Sequence, residues 1–368
     1  MIHRNPYCRF IFLTALLLHG MAWAAAIQIP KALNDRSEFK PSVYADFGQQ
    51  KVGAVIAKNT WDPEKYPKGY ALGFAEFAAH DYKLSSPMIY ALNFGLNNLV
   101  QAHSQVFQRK VSPSFRVRFR IFNTFDGYAK YSKDNYNKEV TKNLLGFFSP
   151  GRYLEFRDGT RRYTKLPEII TWKQQAHLTW RLVPTLLHEG CHAIMNEMYG
   201  ELPFWMVEGS ADWFGEAPSW LQKADGLRHD QYARWIRLDD MRKNGQLPPL
   251  ETYLRSHSYG QWARMFNDNI GMGYDIGWSV FDFFMKSHNQ SLLFLGRISN
   301  DAVAHAGKNP QPGQLEGAFV DGVKRHWPKG QLNNGLQMLE RGWHSWIQIR
   351  ADQAKKLIRE ERAKQKTR

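Results

Sequence analysis

Two histidines four residues apart, with an acid beside the first, form the stretch His188-Glu189-Gly190-Cys191-His192. Such a set can hold a divalent metal and place a base next to it. The spacing carries weight because the surrounding run reads as a helix. Leu187, Cys191, Ile194, Met195 and Met198 recur at helical intervals between Pro184 and Tyr199, Pro184 suits the first helical position, and Gly200 suits the C-terminal cap. Residues four apart on a helix lie about 6 Å apart along its axis, so both imidazoles can reach one ion at about 2.0–2.1 Å. Glu189, rotated by about 100° from His188, suits a group that addresses a water on the ion and leaves the ion itself to other ligands. Cys191 falls off the histidine face and reads as a small buried thiol.

A catalytic zinc takes three protein ligands and keeps one position open, so a third ligand is required. Glu201-Leu202-Pro203 turns the chain into a second predicted helix, Phe204 to Phe214, and the separation of His192 from Glu208 allows that helix to fold back against the first. Glu208 can then face both histidines. Asp212, one turn further on, can accept the second N–H of a ligand histidine and so fix its tautomer.

His-Glu-x-x-His followed by Trp-x-x-Glu-Gly-x-Ala-Asp resembles the gluzincin metallopeptidases, which include thermolysin-like and aminopeptidase-like enzymes, and is similar to a small secreted bacterial branch of that group. The specific resemblance covers Leu186 to Phe214. It implies an α+β fold in which a small mixed sheet and the zinc helix are followed by a mostly helical lobe. It implies Zn²⁺ held by His188, His192 and Glu208, with Glu189 as general base in hydrolysis of a peptide bond. It also implies an oxyanion donor from a downstream Tyr or His. Tyr274, at a glycine-flanked helix start, is the first choice, with His257 and Tyr259 behind it. An edge strand beside the zinc helix would pair with extended substrate, and Gly146 to Phe156 is the candidate segment.

The start of the chain reads as an export signal over residues 1–26. Arg4 and Arg9 precede the apolar run Phe10 to Leu18, and small residues near Ala24 or Ala26 offer a cleavage site. The expected destination is the periplasm or the exterior. Removing that segment takes two Arg and no acid, and lowers the formal net charge from +15 to +13. This balance favours anionic envelope surfaces, alongside a peptide, protein or cell-wall peptide substrate; no nucleic-acid recognition motif is present. Cys8 leaves with the signal, so Cys191 has no intramolecular disulfide partner. A cell-wall amide hydrolase and a non-catalytic envelope-binding protein are the competing readings.

The remaining chain divides into a mixed lobe over residues 27–200, a helical lobe over 201–350 and a basic tail over 351–368. Lys51 to Ala57 and Phe115 to Phe122 are predicted strands; in the second, apolar residues alternate with Arg, which reads as one buried and one solvated face. Gly146 to Phe148 and Arg152 to Phe156 are predicted to pair about Ser149-Pro150-Gly151. Ile89 to Phe107, Tyr232 to Arg242, Leu250 to Ser256 and Gly271 to Met285 read as helices, and a last one begins over Leu339 to Trp346.

Overall fold

Alternation and helical periodicity fold this chain into an α+β structure. The computed structural model describes residues 69–366 apart from 73, 81–85, 113–114, 156–160, 174–180, 216–226, 288, 308–309 and 327–334. The expected export signal over residues 1–26 and the expected strand over Lys51 to Ala57 lie outside the described residues.

In chain order the first elements are β1 (Gly69–Leu72), β2 (Ala75–His80), α1 (Ser86–Phe107), β3 (Val117–Phe122), α2 (Phe125–Tyr136), β4 (Gly146–Ser149), β5 (Arg152–Glu155), β6 (Arg161–Lys165) and β7 (Glu168–Trp172). Five strands form one mixed sheet in the order β1-β2-β3-β7-β4. The centre, β2-β3-β7, is parallel, and β1 and β4 run antiparallel at the two edges.

Val117, Phe119 and Ile121 on β3 are fully buried, as alternation predicts. The arginine face differs from expectation. Arg120 is 3% exposed and its guanidinium lies 2.6 Å from Glu168 on β7; Arg118 lies 2.9 Å from Glu76 on β2. β3 is central, so Arg118 and Arg120 each meet a cross-strand carboxylate and are neutralised there. Tyr131 and Tyr136 of α2 also donate to Glu168 and close that face.

The expected β4–β5 hairpin does not form. β4 pairs with β7, and β5 pairs with β6 in a separate two-stranded sheet. The compositions explain the split. Phe147 packs with Phe122, Tyr128, Ile170 and Trp172 on one face, while Phe148 packs against the main core on the other. β5 and β6 are poorer in apolar residues: Tyr163 of β6 packs against the core, but Leu154 of β5 is 57% exposed.

Helices follow: α3 (Leu182–Tyr199), α4 (Phe204–Phe214), α5 (Leu227–Lys243), α6 (Leu250–Leu254), α7 (Tyr259–Met265), α8 (Ile270–Lys286), α9 (Asn289–Ala306), α10 (Gln314–His326) and α11 (Gly335–Lys366). One continuous apolar core runs from Phe77 on β2 to Ala354 on α11 and joins the sheet to the helices. The expected basic tail is the continuation of α11, and its first turns are packed: Leu339, Trp343, Ile347, Ala351 and Ala354 seat the inner face of the helix, and Lys355 reaches Asp239. Among the described residues no helix is long and apolar enough to cross a membrane.

Two contacts set the helical geometry. α4 and α8 cross backbone to backbone at Gly209 and Gly277, where a Cβ on Gly209 would lie 2.4 Å from the Gly277 carbonyl. On α5, Asp239 is fully buried and receives Arg242, Lys243 and, from α11, Lys355. Burial pushes the Asp239 carboxyl up, but these hydrogen bonds outweigh it and hold it at about 2.

Gly209→Ala is expected to cost about 1–3 kcal/mol in denaturant unfolding, because the added methyl meets backbone that cannot swing aside. Asp239 is depressed in the folded state, so its contribution is complete above the unfolded value near 3.8 and disappears as pH falls towards 2. Asp239→Asn is expected to remove about 1–2 kcal/mol at neutral pH and to flatten the stability profile across that acid window, as read by unfolding at a series of pH values.

Candidate metal centre

α3 buries Leu182, Leu186, Leu187, Cys191 and Ile194 and turns Glu189 and His192 towards a cleft of about 570 Å³, with His188 one turn before His192 on the same helix. Gly200, at φ 77°, ends the helix where a side chain would be strained, and its N–H bonds to the Asn196 carbonyl. α4 starts after Pro203, and its Phe204 N–H donates to the Glu316 carboxylate of α10 at 2.8 Å. That anion satisfies a first-turn donor and complements the helix dipole. One turn after Phe204, Glu208 returns to α3 beside the histidines.

The three predicted ligands meet. His188 Nε2 lies 3.5 Å and His192 Nε2 3.7 Å from the same atom, Glu208 Oε2, and all three ligand atoms lie within 4.8 Å of one another. A tetrahedral ion with bonds of about 2.0–2.1 Å separates its ligand atoms by about 3.4 Å. The two N···O distances are longer than hydrogen bonds and suit an ion placed between the atoms. Glu208 Oε2 is buried and has no hydrogen-bond partner, whereas Oε1 accepts the Tyr259 hydroxyl at 2.7 Å. An orphaned carboxylate oxygen facing two imidazole nitrogens is a group that could hold a metal ion.

Asp212 stands where the helical spacing placed it. Its Oδ1 lies 3.0 Å from His188 Nδ1, which turns Nε2 of that ring towards Glu208. His192 Nδ1 is buried without such a partner. The electrostatics differ accordingly. Burial pushes His192 down to about 4. At His188 burial acts in the same sense, but the hydrogen bond to Asp212 and the nearby Glu208 carboxylate prevail and hold it well above the ordinary imidazole value. Burial raises Glu208 and Asp212, yet in each case neighbouring cations and hydrogen bonds bring the carboxyl below its usual range.

Glu189 is buried beside the triad and accepts a hydrogen bond from the Phe148 backbone on β4. Burial lifts it to about 7, with Glu208 adding to the rise and His188 and Lys138 opposing it. The cleft is also lined by Phe147, Phe148, His257 and the turn Pro310 to Gly313. The Tyr274 hydroxyl bonds to that of Tyr259 at 3.0 Å and reaches Glu208 only through it; the Tyr274 ring lies 6.4 Å from that of His188. Tyr259, the reserve in the sequence reading, is the nearer of the two. Cys191 is a free thiol, fully buried.

Three participants gave no sequence signal. Lys138, in the connection after α2, sits 3.9 Å over the Phe147 ring and acts electrostatically on Glu189. Glu316 comes from α10, and Arg234 of α5 lies 3.0 Å from Asp212. None has local periodicity or motif spacing to mark it. No protein-family model matches the chain, and no curated protein matches it at a significant level.

The geometry predicts that the protein takes up a divalent ion at the triad, that Glu208→Ala loses it, and that Asp212→Ala retains it with affinity weakened about 10–100-fold. Since the ion displaces the proton held on His188, uptake should release a proton and affinity should rise with pH. Metal content after dialysis reads the uptake and its loss in Glu208→Ala, and chelator competition at several pH values reads the weakening in Asp212→Ala and the pH dependence.

Proposed function

We propose that the protein is an exported metallopeptidase of gluzincin type, with His188, His192 and Glu208 as ligands of Zn²⁺. The observation that carries the reading is the convergence of the three ligand atoms on one point in an open cleft, with the buried Glu189 carboxylate beside it. Two imidazoles and one carboxylate suit zinc and leave a coordination position towards the cleft. When bound, zinc supplies a Lewis acid for the carbonyl and brings the pKa of a water to about 7.

The chain's own groups then have distinct tasks. Glu189, oriented by the Phe148 N–H, takes the proton of the attacking water and passes it to the leaving amine. Tyr274, hydrogen-bonded to Tyr259, donates to the developing oxyanion, with Tyr259 and His257 as the alternatives. β4, the edge strand next to α3, lays an extended peptide across the cleft by strand addition. In this reading the sheet and zinc helix form the thermolysin-like part, and the helices after residue 200 supply the third ligand and the opposite wall.

The cleft differs from the chain as a whole in charge. Among the described residues its wall carries Glu201 and Glu316 besides the site carboxylates and no Lys or Arg. Neutral and cationic substrate side chains therefore suit it better than acidic ones. The protein's positive excess lies elsewhere, where it favours contact with an anionic envelope surface.

Glu189→Gln is expected to keep its metal and to lose about 10²–10⁴-fold in turnover of a quenched peptide library. Undiminished hydrolysis by a pure preparation of that variant would remove Glu189 from the mechanism. Release of muropeptide fragments from sacculi, with casein untouched, would move the reaction to wall amides. Stoichiometric zinc without cleavage of either would favour an envelope-binding role.

A further inference from the structure

From the metal triad a row of alternating charges runs through four helices. His188 Nδ1 meets Asp212 Oδ1 at 3.0 Å, and Asp212 Oδ2 meets Arg234 Nη1 at 3.0 Å. Arg234 Nε in turn meets Asp275 Oδ1 of α8 at 3.1 Å, and Asp275 Oδ2 is held by Arg237 at 2.8 Å. Both oxygens of Asp212 are thus engaged, one by the ligand histidine and one by an arginine of α5.

From this geometry we infer that Arg234 is a positioning residue for the metal centre, acting on His188 through Asp212. The inference rests on the metal-centre reading above and adds a group that no motif marks. A carboxylate with one oxygen free can rotate about its Cβ–Cγ bond and lose the His188 hydrogen bond. Arg234 removes that freedom, because its planar fork spans two carboxylates on different helices and cannot follow one without leaving the other. Its own seat is firm: the guanidinium stacks 5.4 Å over the Trp278 ring, which packs against Trp235. Arg234 also lies between Asp212 and Asp275, so its removal leaves two mostly buried carboxylates facing each other. Their repulsion turns Asp212 away from the position His188 requires. Partners of ligand histidines of this kind typically govern metal affinity by about 10–100-fold.

The test is zinc affinity, measured by competition with a chromophoric chelator, on the full chain and on four variants whose fold is checked by circular dichroism and thermal melting. Arg234→Gln is expected to bind zinc about 10–100-fold more weakly, as is Asp212→Asn, and the double variant about as weakly as either single one. Arg237→Gln touches Asp275 but not Asp212 and is expected to stay close to wild type. Folded Arg234→Gln with wild-type affinity, or losses that add in the double variant, would overturn the inference. An equal loss in Arg237→Gln would also overturn it, by assigning the effect to general loosening. If Arg234→Gln does not fold, Arg234→Lys decides: it keeps the charge and loses the two-carboxylate fork, so a partial loss of affinity is expected and wild-type affinity refutes the role. Failure of the wild-type chain to bind zinc is seen before any variant is compared, and would overturn the metal centre together with this inference.

Discussion

A buried carboxylate oxygen without a donor is the constraint on which the site turns. Glu208 is 5% exposed, its Oε1 is satisfied by Tyr259, and its Oε2 faces only the two imidazole nitrogens. Leaving a carboxylate in a poorly solvated place costs several kcal/mol unless positive charge is brought to it. The protein answers with a proton held on His188 and with a geometry that fits a cation. Asp212, Arg234 and Asp275 extend the alternation of sign outward to the half-exposed Arg237, so that no charge in the row lacks an opposite neighbour.

Bringing Glu208 to that place is a packing problem, and small residues solve it. Gly209 follows Glu208 directly, and the absence of its Cβ lets α4 lie backbone to backbone on Gly277 of α8. The same contact carries Tyr274, three residues before Gly277, to the metal side of α8. Glu316 holds the start of α4 from a third helix, while the apolar face of α3 presses on the sheet. The ligand helix pair is therefore clamped from above, below and behind, and the cleft is the side left open.

The distribution of charge separates two surfaces that the composition merges. A formal net charge of +15 suggests a chain attractive to anions throughout, yet several cations are consumed internally. Arg118 and Arg120 neutralise Glu76 and Glu168 within the sheet, and Arg242, Lys243 and Lys355 converge on Asp239. Basicity counted along the sequence thus overstates what any one face presents, and the cleft wall among the described residues has none of it.

By itself the sequence determined whatever depends on spacing within an element. The histidine pair, Glu189 beside it, the helix bounded by Gly200, the helix from Phe204 to Phe214, and Asp212 one turn after Glu208 all follow from the rise and turn of an α-helix, which is the same in any protein. Even the approach of Glu208 to the histidines was legible, because the short Glu201 to Pro203 turn allows few paths. Tertiary structure alone decided whatever depends on elements distant in the chain. The arginine row of β3 reads as solvated until β2 and β7 flank it with carboxylates. Phe147 and Phe148 read as half of a hairpin until β7 offers a larger apolar surface than β5 does. Arg234, Glu316 and Lys138 reach the site with no motif to mark their roles, and Tyr259 stands nearer to Glu208 than Tyr274 because α7 and α8 meet there. Side-chain periodicity encodes which face an element buries; it carries no information about which distant charge will be waiting on that face.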